Sequence, residues 1–183
     1  MLFKDQLREQ GVYEDLLRKI NFNAESKDSV FLGKKVWNES IASILAGNNI
    51  LLSGNKATGK NILARDLAYL FGVDCHEISF HVDVSANELI SEKGILRVCA
   101  EEGSFGVLDE INMAKSECLS ILHSVLDFRR TVDLSGGQRI TLKDSTRFIG
   151  TMNYGYMGTK ELNEALISRF QVISIPPVTE ELI

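Results

Sequence analysis

Asn49-Ile50-Leu51-Leu52-Ser53-Gly54-Asn55-Lys56-Ala57-Thr58-Gly59-Lys60-Asn61 is the stretch on which the reading of this chain turns. Its first half is a short apolar run bounded by Asn and Gly, as expected of a strand buried on both faces. Its second half is G-x-x-x-x-G-K. Beyond it, residues 60–71 carry apolar side chains at helical spacing, with Ile62, Leu63, Leu67 and Leu70 predicted inward and Gly72 just past the end. A strand, a glycine-rich loop and a helix in that order are the context a phosphate loop demands. The backbone from Gly54 to Gly59 can wrap so that its N–H groups face phosphate oxygens, the helix N-terminus adds a favourable field, and Lys60 supplies the counter-charge. A turn capped by a solvated lysine would show the same letters; the flanking strand and helix favour phosphate. Asn61 stands where the usual pattern has Ser or Thr, whose hydroxyl ligates Mg²⁺. Its carbonyl oxygen is a neutral substitute on a longer arm.

The organisation extends outward from there. Residues 35–46 repeat at helical spacing before Gly47, and the first 28 residues read as a polar helical leader with a short stripe of Leu16, Leu17 and Ile20. Downstream, strands are predicted at 75–80, 106–108, 147–151 and 172–175, helices at 116–128 and 161–169, and a hairpin across Gly136-Gly137 within 131–142. Strands separated by helices indicate an α/β fold: a three-layer αβα sandwich around a five-stranded parallel core sheet. Ligands of such sheets sit beyond the carboxyl ends of the strands.

The remaining polar motifs fall at those ends. Phe105-Gly106-Val107-Leu108-Asp109-Glu110 is an apolar strand closing on two adjacent carboxylates. Neighbouring carboxylates repel unless a cation or a water uses them. Beside a phosphate loop, Asp109 would hold the metal and Glu110 would polarise the attacking water; an acidic turn capping the next helix is the other reading. Thr151-Met152-Asn153 closes the fourth core strand and places Asn153 beside the acidic pair, or simply forms a turn there. Arg169 sits at a helix end, where a cation also complements the helix dipole; for Arg129 and Arg130 the dipole reading is the better one. His76 and His81 lack a third ligand at zinc spacing.

Composition bounds the rest. The chain has 183 residues, 44% hydrophobic and 25% charged, with only 2 Pro. A single domain of that size buries roughly 70% of its unfolded surface. The balance of 20 Lys+Arg against 25 Asp+Glu gives −5 and argues against a nucleic-acid partner. Three cysteines without C-x-x-C spacing fit a reducing compartment, and no apolar run approaches membrane-spanning length, so a cytoplasmic protein is expected.

With those residues in hand, the chain resembles AAA+ ATPases of the MoxR and dynein-related branch. Residues 51–60 resemble the Walker A strand and loop, and 106–114 (G-V-L-D-E-I-N-M-A) the Walker B segment. The hairpin resembles the element before sensor 1, 148–153 (F-I-G-T-M-N) sensor 1 itself, and 163–170 (N-E-A-L-I-S-R-F) the arginine-finger helix. Phe31-Leu32-Gly33 lies where that family contacts adenine. The resemblance covers residues 29–178, the large nucleotide-binding subdomain, with 179–183 starting the linker toward a helical lid that the chain does not reach.

The resemblance implies ATP (or ADP) held by residues 54–61 with Leu32 and Gly33, and Mg²⁺ at Asn61 and Asp109. It makes Glu110, Asn153 and Arg169 catalytic, the arginine being offered to a neighbouring subunit. It also implies a ring-forming homo-oligomer, a hexamer, that remodels a protein partner such as a von Willebrand factor A-type protein. Asn61 and the missing lid support an alternative, a nucleotide-dependent assembly module with little turnover. A restriction-type nucleic-acid motor ranks third because of the net charge.

Overall fold

Asn49–Gly54 does form a strand, β1, buried at every position. In the computed structural model, residues 1–154 and 161–177 are described; the linker expected at 179–183 lies outside them. Before β1 come helices α1 (Phe3–Glu9), α2 (Glu14–Arg18) and α3 (Lys34–Leu45). After it come α4 (Lys60–Phe71), β2 (Cys75–Ser79), α5 (Ala86–Ile90), α6 (Ile95–Glu102), β3 (Phe105–Asp109) and α7 (Ser116–Leu126). The hairpin β4 (Thr131–Asp133) and β5 (Arg139–Thr141) follows, then β6 (Arg147–Asn153), α8 (Glu164–Ile167) and β7 (Phe170–Ser174).

Five strands make one parallel sheet in the order β2-β3-β6-β1-β7, and the hairpin stands apart as an antiparallel pair. This is the expected αβα sandwich of a P-loop NTPase. Alternation along each strand builds its two cores. Ile50 and Leu52 of β1, Val107 of β3 and Ile149 of β6 pack into one layer with Trp37, Ile41, Leu63 and Leu67. Leu51, Leu108 and Phe148 face the other, with Leu96, Leu122, Val125 and Leu166.

Three local expectations change. The first 28 residues do hold two helices, but Phe3, Leu7, Leu17 and Ile20 are buried in the first of those cores, beside Trp37. Their stripe was too short to be recognised as part of the main core. Ile62 is 48% exposed, not inward, because α4 turns that position away from the sheet. The helix expected at 161–169 is a single turn, Glu164–Ile167, capped by the Asn163 side chain accepting from the Leu166 N–H at 2.8 Å.

The topology fixes the site. Gly54 at the end of β1 pairs with Asn153 at the end of β6, and β3 delivers Asp109 on the other side of β6. Among the described residues, no helix is long and apolar enough to cross a membrane.

Candidate active site

Between β1 and α4 the chain makes a loop whose flanking glycines, Gly54 and Gly59, leave no room for a side chain. Gly59 has φ +82°, and a Cβ there would lie 3.2 Å from the Phe31 ring. A Cβ on Gly54 would meet the Ile175 carbonyl at 2.7 Å, so a larger residue would push the loop off β7. The loop wraps around its own lysine. Lys60 Nζ donates to the carbonyls of Gly54 (3.1 Å) and Asn55 (2.6 Å) and to Thr58 Oγ1 (3.3 Å), with only 7% of the residue exposed. Burial pushes its ammonium below the usual lysine range, while Asp109 and Glu110 pull it back up.

Lys56, Ala57, Thr58, Gly59, Lys60, Asn61, Asp109, Glu110 and Asn153 line one cleft of about 350 Å³. Gly54 and Asn55 instead border an adjoining hollow of about 600 Å³, together with Gly33, Tyr154, Ser174, Ile175 and Pro176. Leu32 is 56% exposed and lines neither. Arg169 also stands outside the cleft. Its guanidinium turns back on its own chain, toward the carbonyls of His123 (3.3 Å) and Ala165 and to 3.7 Å from Asp127. Asp127 is gripped by Arg129 at 2.7 Å, which holds its carboxyl below the usual carboxylate range.

The acidic pair is organised by a residue that sequence reading passed over. Thr151 Oγ1, almost fully buried, donates to Asp109 Oδ1 at 2.6 Å and accepts the Glu110 N–H at 3.1 Å. Glu110 itself adopts φ +53°, a left-handed conformation that is costly for a residue with a Cβ. The turn swings its carboxylate toward β6, where Asn153 Nδ2 donates to Glu110 Oε1 at 3.3 Å. In the sequence Thr151 reads only as part of the strand tip, because the partners that give it a role lie 42 and 41 residues away. Elsewhere, burial pushes the Cys99 thiol up to about 12 and raises Cys118 as well, which leaves both poor nucleophiles.

The donor set suits a triphosphate with Mg²⁺. A carboxylate oxygen of Asp109 and the amide oxygen of Asn61 would be hard donors, and magnesium commonly takes one or two protein ligands with phosphates and waters completing its shell. Lys60, at present held by loop carbonyls, is the matching counter-charge.

A parallel sheet with a glycine loop, a buried lysine and an acidic strand end facing one cleft defines a P-loop nucleotide-binding protein. Residues 49–170 match the AAA domain of the dynein-related subfamily, and the chain belongs to that family of AAA+ ATPases. It is 33% identical to the uncharacterized protein YojN of Bacillus subtilis, over 93% of this chain and 59% of that protein. It is 32% identical to the uncharacterized protein SH1500 of Staphylococcus haemolyticus, over 82% of this chain and 64% of the other. The chain therefore spans less than two thirds of these relatives. A crystal structure of a Cytophaga hutchinsonii protein named "putative ATPase" superposes with a TM-score of 0.61 at 23% identity, over 98% of this chain and 53% of that one, a likeness of fold.

Proposed function

We propose that this chain is an ATP-binding and ATP-hydrolysing module that works as a ring, a homo-hexamer, to remodel a protein partner, such as one of the von Willebrand factor A type. The observation that carries the hydrolytic part is the convergence of Lys60, Asp109, Glu110 and Asn153 on one cleft. In this reading the loop N–H groups and Lys60 bind the phosphates. The hollow beside Gly33 receives the nucleoside. Asp109 and Asn61 would hold Mg²⁺, which would neutralise charge on the phosphate oxygens. Glu110 draws a proton from the attacking water while Asn153 fixes that carboxylate. Arg169 serves a neighbouring subunit.

The test is a turnover assay with ATP and GTP on wild type and Glu110→Gln. Gln keeps shape and reach but loses the basic carboxylate. Nucleotide affinity is expected to survive and hydrolysis to collapse. Wild-type turnover in the Gln variant would remove Glu110 from the mechanism. An ATP-binding wild type with no turnover would favour the assembly-module reading, which Asn61 supports.

A further inference from the structure

Asn61 does not stand alone at the mouth of the cleft. It is the second residue of α4, and one turn later on the same face comes Arg65. Both reach across to Glu77 in the middle of β2, the edge strand. They divide its carboxylate between them. Arg65 Nη2 and Nε donate to Oε2 at 2.6 and 3.1 Å, and Asn61 Nδ2 donates to Oε1 at 3.4 Å.

An ionised carboxylate accepts hydrogen bonds and cannot donate them. Only the NH₂ end of Asn61 can therefore face Glu77, so the carbonyl end is the one left for the cleft that Asn61 lines. A free amide would present either end. A serine or threonine hydroxyl would need no such help, since the same oxygen donates and accepts.

The geometry points to Glu77 as the positioning residue of the metal site: anchored by Arg65, it fixes the Asn61 amide so that the carbonyl oxygen serves where a hydroxyl is absent. Glu77 does not itself line the cleft and acts through Asn61. Removing a partner that orients a metal ligand commonly costs about 10–100-fold in metal affinity. With a bond as long as this one, the low end applies.

This inference rests on the nucleotide reading above, and the experiment separates the two. The Kd of a fluorescent ATP analogue is measured in Mg²⁺ and in EDTA for wild type, Glu77→Ala, Asn61→Thr and the double variant, with circular dichroism checking the fold. Glu77→Ala should lower the Mg²⁺-dependent gain about tenfold and leave the EDTA value unchanged. In the Asn61→Thr background the same substitution should do nothing, because the interaction it removes is already gone. Arg65→Met, which frees Glu77 without deleting it, should give a smaller loss and serves if Glu77→Ala fails to fold.

An unchanged Mg²⁺ gain in a folded Glu77→Ala or, failing that, in Arg65→Met overturns the inference. So does an equal loss in Mg²⁺ and EDTA, or a loss that persists with Thr at position 61, as a structural or directly ligating role would produce. A wild-type chain that binds nucleotide equally with and without Mg²⁺ overturns the inference and leaves the phosphate loop standing. One that binds no nucleotide at all overturns the functional reading as well.

Discussion

Lys60 and Thr151 concentrate the chemistry of the cleft in two buried side chains. Lys60 is held by three loop oxygens and depressed by burial below its ordinary 10.5. A bound triphosphate would favour its charged form, so binding would take up a proton once the pH climbs past the depressed value. Affinity should be flat below that point and then fall by up to about tenfold per unit. Lys60→Ala should weaken binding by about 1.5–3 kcal/mol, at least tenfold in Kd, and abolish that part of the pH dependence. A fluorescent nucleotide titrated across pH measures both. Thr151 bridges the Asp109 carboxylate and the Glu110 N–H. Thr151→Val keeps the volume and orphans both, and should cost about 1–3 kcal/mol in denaturant unfolding. Turnover should drop more than affinity, and Thr151→Ser should restore both; a Val variant as stable as wild type would show that the bridge contributes nothing.

At the scale of elements, α4 links the cleft to the first 33 residues. Its Asp66 is fully buried, pairs with Lys27 and accepts the Phe31 N–H at 2.9 Å. The Phe31 carbonyl is held in turn by Trp37 Nε1 at 2.9 Å, and its ring abuts Gly59. The segment that shapes the loop is thus tied to the helix that follows the loop. Asp66→Ala orphans the buried Phe31 N–H and should cost about 1–3 kcal/mol, with Tm falling roughly 2–4 °C per kcal/mol in a chain of this size. Nucleotide should recover part of that loss by mass action; an unshifted Tm would show that the tie is not structural. None of this was legible in sequence, because a lone Asp on an amphipathic helix reads as solvated. What was legible had a period: the apolar runs at β1 and β3 and the repeats of α3, α4 and α7. α5 and α6 lie in 81–104, where polar residues and Gly94 obscure the repeat. Leu89, Leu96 and Cys99 are buried there all the same. The site followed the same rule. Asp109, Glu110 and Asn153 stand at strand ends that the pattern located and Lys60 opens the helix it located, whereas Glu77 and Thr151 matter through partners far away in sequence.

The whole molecule places Arg169 where its own cleft does not use it. It follows α8 immediately before β7, outside the residues lining the phosphate cleft, and rests on Asp127 and the His123 carbonyl. A surface arginine complementing a helix end would contribute only about 0.3–1 kcal/mol to stability. A guanidinium offered to the next subunit would neutralise charge on its γ-phosphate, worth about 10³–10⁵ in rate. To reach across, it must exchange acceptors within its own chain for the neighbour's phosphate, an even trade only when nucleotide is present. Mixing separates the readings. Arg169→Ala subunits should bind nucleotide and form rings without turning over, and Lys60→Ala subunits should lack nucleotide. A mixed ring then contains interfaces where the intact loop of an Arg169→Ala subunit faces the intact arginine of a Lys60→Ala subunit. Hydrolysis should reappear there, rising and falling with the mixing ratio. Mixed rings, verified by native mass spectrometry, that stay as inactive as either parent would show that Arg169 acts within its own chain or not at all.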